Sequence, residues 1–369
     1  MLRSRLLYQR CTRQYATLSQ SLVNLGGPPP EPPTTELFHC PLSPLDRRLL
    51  NALSSTKKFP SLSQLVHKYL NNSGNVLPNS LLYESRPSAS RKVNREPSTT
   101  DSSDVMLIAH CVQVGEEHKV TVASGFALEA PYEREGESLI ITCAHTLEEA
   151  ERNESNARNS PSATTERVNS GSFVVYSDGS MYPVTDIVSS LPRSDLMIMS
   201  CPKPPVATLP VSPYPVHAGT PILGHFVSHE CPEEPGWTRW VGNTWSKWVQ
   251  GTVLGYRDFA GRETQPGTYD ALSHLLFSPL PTAGSSGGPI IDAETGAVIG
   301  VMLGTRMDNR IEGSRGWGVP AETIFEVSLL YDQRISTQVC LVDVQSSRTR
   351  RQEIIVANTR LPITVYVHD

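Results

Sequence analysis

The sequence predicts an all-β domain, a barrel or a sandwich, from Val105 onward, preceded by a helical and disordered N-terminal extension. Three observations predict it. Past Val105 the chain breaks into short apolar runs separated by turn residues, the spacing of antiparallel barrels and sandwiches. Two of those turns, "SDGS" (177–180) and "DAETG" (292–296), place Gly where a hairpin needs a positive φ. Beyond the N-terminal leader, helical patterning is confined to residues 44–72 and 320–332.

The elements follow in chain order. "MLRSRLLYQRCTRQYATLSQ" carries Arg3, Arg5, Arg10 and Arg13, and the first acidic residue is Glu31. Leu2, Leu6 and Leu7 lie opposite the arginines at helical spacing. An Arg-rich, acid-poor amphipathic start is a mitochondrial transit signal, its apolar run too short for secretion. "RQYAT" resembles the Arg-x-Tyr site at which such presequences are cut, here after Tyr15. "GGPPPEPP" (26–33) can form neither helix nor central strand. "PLDRRLLNALSS" (44–55) starts with Pro at a first-turn position and repeats Leu45, Leu49, Leu50 and Leu53. "SLSQLVHKYLNN" (61–72) sets Leu62, Leu65, Val66 and Tyr69 on one face. Packing against the barrels is the default reading of both helices. Residues 84–104 are polar and Ser- and Pro-rich, and read as a linker.

The predicted strands lie in "VMLIAHCVQV" (105–114), "HKVTVASGFALEA" (118–130), "SLIITCAH" (138–145), "GSFVVYSDGSMYPVTDIV" (171–188) and "LMIMSC" (196–201). They continue in "TPILGHFV" (220–227), "WVQGTVLGYRD" (248–258), "GGPIIDAETGAVIGVMLG" (287–304) and "GWGVP" (316–320). A helix is expected over "PAETIFEVSLLYD" (320–332), and weak alternation over 336–369 suggests further strands.

With 369 residues the chain can bury a substantial core. Its net charge of −5 argues against nucleic acid as a partner. Cutting after Tyr15 would leave 28 Lys and Arg against 37 Asp and Glu, a charge of −9. No run of 18 apolar residues suits a membrane helix. Seven cysteines, odd in number and never in a CxxC pair, fit free thiols better than a disulfide framework or a zinc site.

Residues 282–289, "TAGSSGGP", pose the chemical question. A serine hydroxyl is too weakly acidic to attack at neutral pH without a base, usually His, held in its tautomer by a carboxylate. Gly284-Ser285-Ser286-Gly287-Gly288 satisfies G-x-S-x-G, the nucleophile elbow of α/β-hydrolases. That fold needs the His after the serine and a helix directly behind it. Behind Ser286 the sequence offers only His368, and Pro289 opens a strand–turn–strand pattern. The elbow reading fails.

The other order, His, Asp, Ser, fits. "LIITCAHTL" resembles the T-A-A-H motif of the trypsin-like serine peptidases, "RSDLMIMSC" their D-[IL]-A-[LV] motif, and "GSSGGPII" their G-x-S-G-G-P motif. The texture is nearest to HtrA-like and bacterial-type members. The resemblance implies His145 as general base, Asp195 as orienting acid and Ser286 as nucleophile. The intervals, 50 residues from His145 to Asp195 and 91 from Asp195 to Ser286, suit two consecutive six-stranded antiparallel β-barrels of chymotrypsin type with a C-terminal helix. "SGFAL" (124–128) and "GWGVPAETI" (316–324) resemble the strand before the His and the closing strand. The implied organisation is a leader over 1–15, linkers with two short helices over 16–100, a peptidase domain over 101–335 (barrels about 101–205 and 206–320), and an extension over 336–369.

The resemblance also implies an oxyanion hole from the backbone N–H groups of Gly284 and Ser286, with Gly287 and Gly288 leaving space beside the nucleophile. Leu280 stands six residues before Ser286, where trypsins carry the acid on the floor of the substrate pocket. Pocket walls would come from Met302, Leu303 and Gly304 and from Gly316 through Gly318. An apolar side chain is therefore the expected preference. Ser285 replaces the Asp of cleavage-activated members, and no Ile-Val-Gly-Gly start precedes Val105. Thr146 follows His145, so the usual cysteine bridge there is absent, and the 37 residues after Asp332 are too few for a PDZ domain.

Other residues receive plainer readings. Asp178 belongs to a hairpin turn, and Asp270 follows a Gly-Thr-Tyr loop. His110 and His118 are read as paired strand or turn residues, and Cys143 as a buried strand thiol. His225, His229 and Cys231 have a loosely ligand-like spacing with no partner cluster. Trp237, Trp240, Trp245 and Trp248 are read as packing the second barrel and its surface loop. The function expected is a mitochondrial serine endopeptidase acting on protein or peptide chains. It needs no metal or organic cofactor, and a homo-oligomer remains an open alternative. The rival readings are a catalytically silent binding or chaperone-like protein on the same scaffold, and acyl transfer or ester hydrolysis on small substrates.

Overall fold

The computed structural model describes residues 43–55, 59–77, 81–92, 105–129, 136–159, 168–202, 207–268, 271–309, 311–327, 330–332, 340–344, 351–355 and 363–365. The leader, the proline run at 26–33, Asp270 and His368 lie outside them, as does 93–104 of the expected linker. The chain divides into two units, Met1–Leu330 and Tyr331–Asp369.

In the first unit, helix α1 (Pro44–Ser54) begins at Ser43, whose hydroxyl caps the Asp46 N–H, and α2 (Leu62–Asn71) opens with a capping box between Ser61 and Gln64. Both bury the leucine faces read from the sequence. Leu45, Leu49, Leu50 and Leu53 pack with Leu107, Phe173 and Val175, while Leu62, Leu65 and Tyr69 join the largest core cluster. A short strand, β1 (Leu81–Tyr83), follows. The first residues of the expected linker are built into the fold: Arg91 binds the carboxylates of Glu84 at 3.3 Å and Glu129 at 2.6 Å.

The first sheet holds β2 (Val105–Val114), β3 (Glu117–Leu128), β4 (Ser138–Cys143), β5 (Val168–Val175), β6 (Met181–Pro183), β7 (Asp186–Leu191) and β8 (Leu196–Cys201). Its spatial order is β6-β5-β2-β3-β4-β8-β7, all antiparallel. Between β4 and β5 the chain forms α3 (His145–Asn159), a helix that the sequence reading did not predict. Its buried stripe of Leu147, Ala150, Glu154 and Ala157 contains a carboxylate, which interrupts the apolar period. Glu154 is fully buried and is satisfied by the Ser63 N–H at 3.1 Å and by Arg158, so α3 and α2 lock together.

The second sheet holds β9 (Pro221–Ser228), β10 (Thr238–Arg239), β11 (Trp245–Arg257), β12 (Glu263–Thr264), β13 (His274–Ser278), β14 (Pro289–Asp292), β15 (Val298–Asn309) and β16 (Gly313–Pro320). Its pairings run β11-β13-β16-β15-β14-β9, and β9 pairs back to β11, which closes a six-stranded barrel. Of the two barrels expected, the second is closed and the first is a curled seven-stranded sheet. Ile222, Phe226, Val253, Leu275, Phe277, Ile290 and Met302 fill the closed barrel. Trp240 and Trp248 stand edge-on to His225, each at 5.0 Å between ring centroids, and Trp237 packs on the barrel core.

The helix expected over 320–332 is instead a 3₁₀ segment, Ala321–Val327, and a strand, β17 (Leu330–Asp332). Its β-branched Thr323, Ile324 and Val327 have weak helical preference, and Thr323, Ile324 and Phe325 are buried where they stand. In the second unit, β18 (Cys340–Val344), β19 (Arg351–Ile355) and β20 (Ile363–Val365) form an antiparallel sheet in that order.

Candidate active site

Strand pairing brings His145 to Asp195 across 50 residues of chain. In the β4–β8 register Cys143 faces Leu196, so the residues that leave β4 meet those that enter β8. His145 is the first residue of α3, and Asp195 closes a 3₁₀ turn at φ 55°, ψ 35°. Asp is one of the few non-glycine residues that enters this left-handed region readily. That conformation turns the carboxylate onto the helix start. Asp195 Oδ1 accepts from the N–H groups of Ala144 at 3.0 Å and His145 at 2.7 Å, and Oδ2 meets His145 Nδ1 at 2.5 Å. The anion thus sits at the positive end of α3 and fixes the imidazole with Nδ1 inward.

His145 Nε2 therefore faces away from Asp195, and Cys143 Sγ lies 3.9 Å from it. Burial is the largest influence on this imidazole and pulls its pKa down, but Cys143 and Asp195 outweigh it and hold the group well above the usual 6.5. Beneath lies a buried polar chain. Thr146 Oγ1 is 3.7 Å from Cys143 Sγ and 3.3 Å from His110 Nε2, and His110 Nδ1 is 2.7 Å from Ser172 Oγ. Full burial drives the His110 pKa down to about 3, so this ring is neutral at ordinary pH. From α2, Tyr69 hydrogen-bonds Glu148, and burial and then the charges of Glu148 and Asp195 raise its pKa. Nothing in the sequence marks Ser172 and Tyr69 as neighbours of the site or Thr146 as the link from Cys143 to His110, because polar residues inside apolar strands and helices carry no periodic signal.

Ser286 sits on the turn before β14. Its carbonyl accepts from Ser124 N at 2.7 Å, and Ser124 Oγ donates to the Gly284 carbonyl at 2.9 Å, so β3 pins this turn to the first sheet. A Cβ on Gly287 would stand 2.1 Å from Ser124 O, 2.4 Å from Thr142 Oγ1 and 2.9 Å from Cys143 N. Only glycine lets the serine turn lie this close to the strand that leads into His145. The Ser286 hydroxyl donates to Leu303 O at 2.9 Å, and among the described residues no hydrogen bond joins it to His145.

The backbone N–H groups of the turn divide in two. Those of Ser285, Gly287 and Gly288 donate to Thr282 O, Met302 O and Ser285 O. Those of Gly284 and Ser286 have no acceptor among the described residues. A pair of free N–H groups beside a serine is what a developing oxyanion requires.

Of the expected pocket residues, Leu280 is half exposed on the loop after β13, while Met302 and Leu303 are buried in the core. Met302 and Leu303 face the site through backbone: Met302 O and N bond Gly287 and Gly288, and Leu303 O bonds Ser286. Gly304 pairs with Trp317 and Met302 with Gly318, and Gly316 lies against the Phe277 ring. Asp178 accepts from Ser180 N in its turn, and His118 lies 3.8 Å from Asp46. His225 is enclosed by tryptophans, whereas His229 abuts Gly284, its Nε2 3.0 Å from where a Cβ there would stand. Among the described residues no group of three or more His, Cys, Asp and Glu side chains is arranged to hold a metal ion.

Residues 123–301 match the family model of the trypsin-like peptidase domain. Among solved structures, the chain is similar to the active form of the Rv3671c protease from M. tuberculosis, at 19% identity over 68% of this chain and 89% of that one, with a TM-score of 0.40. It is also similar to the HtrA-type protease AlgW with a decapeptide, at 16% identity over 65% of this chain and 66% of that one, with a TM-score of 0.39. No curated protein matches it. By the family match, residues 123–301, from β3 in the first sheet to β15 in the second, form a trypsin-like peptidase domain.

Proposed function

We propose that this protein is a serine endopeptidase in which Ser286 attacks the scissile carbonyl, His145 takes the serine proton and later protonates the leaving amine, and Asp195 orients the imidazole. The observation that carries the reading is an Asp-anchored His145 together with a serine turn whose Gly284 and Ser286 N–H groups have no acceptor among the described residues. In this reading the Ser286 hydroxyl exchanges its bond to Leu303 O for one to His145 Nε2 before it attacks. Losing one oxyanion donor typically costs about 3–4 kcal/mol of transition-state stabilisation. Leu280, where trypsins carry the floor acid, supports preference for an apolar side chain. The Arg-rich, acid-poor start supports a mitochondrial address.

A fluorophosphonate probe should label the folded protein, with labelling and casein hydrolysis both lost in Ser286→Ala. The hydroxyl's bond to Leu303 rather than His145 favours one rival, a silent binding protein on this scaffold. Absence of labelling in the folded wild type would favour that rival and sink the peptidase reading.

A further inference from the structure

We infer that Thr282 and Ser285 form a two-hydroxyl clamp on β9 that positions the Gly284–Ser286 turn for oxyanion binding, an inference that rests on the peptidase reading above. Ser285 is fully buried. Its Oγ accepts from Val227 N at 2.9 Å and stands 2.9 Å from Thr282 Oγ1, which donates to Val227 O at 2.6 Å. Proton counting settles the direction of the shared bond. Each hydroxyl has one hydrogen. Thr282 spends its hydrogen on Val227 O, so the hydrogen between the two oxygens is that of Ser285. The result is a closed ring: Val227 N–H to Ser285, Ser285 to Thr282, Thr282 to Val227 C=O.

The ring occupies an edge of β9 that no strand covers among the described residues. β14 pairs with β9 at Ile222, Leu223 and Gly224. Three residues on, the two hydroxyls take both polar groups of the Val227 peptide, as a neighbouring strand would. The clamp residues are also the first and last of a tight turn, closed by Ser285 N donating to Thr282 O at 3.2 Å, with Gly284 third at φ +90°. A positive φ at the third position marks a type II turn; type I has a negative φ there and a flipped middle peptide. That middle peptide contains the Gly284 N–H. Holding Thr282 and Ser285 on one backbone unit thus fixes which way this N–H faces. Ser124 holds the same turn from the opposite side. The turn needs no buried ion pair to stay in place.

The clamp residues are positioning residues, so the test separates rate from binding. In the full-length protein, Ser285→Ala and Thr282→Val should each lower kcat on a peptide substrate about 10- to 100-fold, with KM within about twofold. Affinity for a peptide trifluoromethyl ketone, whose adduct carries the oxyanion, should fall by the same factor. Thr282→Ser, which keeps the hydroxyl, should recover most of the rate, and the double variant should be no worse than the worse single one. If Ser285→Ala does not fold, Thr282→Val decides. Wild-type-like kcat and ketone affinity in the folded variants would overturn the clamp while leaving the peptidase reading intact. An unlabelled, inactive wild type would instead overturn both.

Discussion

His225 makes the protein's stability depend on pH in a way that one substitution isolates. The ring is buried on β9 between Trp240 and Trp248, and its Nδ1 has no hydrogen-bond partner among the described residues. Burial lowers its pKa from 6.5 to about 3. The unfolded chain therefore takes up a proton that the folded chain refuses, so this stability is fully present above about pH 6.5 and is lost as pH falls toward 3. Linkage gives a loss of about 2 kcal/mol at pH 5 and about 5 kcal/mol at the acid limit. His110 adds a similar loss by the same route, its pKa also about 3. In His225→Leu the apolar surroundings are kept and no hydrogen bond is stranded. Urea unfolding at pH 7.5 and 5.0, followed by tryptophan fluorescence, should show wild type losing about 2 kcal/mol more than the variant. His145, whose raised pKa acts in the opposite sense, is common to both proteins and cancels. Equal losses would refute the reasoning.

Three further outcomes are expected. Gly287→Ala drives a Cβ to 2.1 Å from Ser124 O at a φ of +84°, so fluorophosphonate labelling should fall by more than about 100-fold and the thermal midpoint should drop. In the proposed mechanism His145 must be neutral to act as base, so kcat/KM should rise with pH through an inflection above 6.5. Cys143→Ala removes a group that raises this pKa, and a pH–rate profile should show the limb moved to lower pH. Leu65→Ala on α2 should cost about 2–5 kcal/mol in denaturant titration, because Leu65 is fully buried in the core shared with the first sheet.

Much of the fold was legible because strand and turn signals are local. The nine apolar runs each contain strand, and both glycine hairpins stand where the sequence put them, with Gly179 and Gly296 at φ of 80° and 82°. The leucine faces of α1 and α2 are buried as the 3.6-residue period requires. What the reading missed was set by distant partners. α3 looks polar because its stripe includes Glu154, whose burial is tolerable only once Ser63 and Arg158 bond it. Strand β13 went unread because "HLLFS" is short and takes its pairing from β11 and β16.

For the site, the sequence by itself supplied a resemblance that implies the order His145, Asp195, Ser286, and the glycines that let Ser286 lie close to the first sheet. Residue identity and chain order carry that resemblance, and the rival elbow order would need a histidine behind Ser286, where the sequence offers only His368. Only the tertiary structure decided how the charges and protons are held. Asp195 bonds the start of α3 through a left-handed backbone, Cys143 borders Nε2, and the Ser286 hydroxyl rests on Leu303. Thr282 and Ser285, three residues apart and not linked to each other in a linear reading, act together because the barrel presents the N–H and C=O of Val227 to their hydroxyls. These facts depend on hydrogen-bond directions between groups tens of residues apart, and they exist only once the sheets have closed.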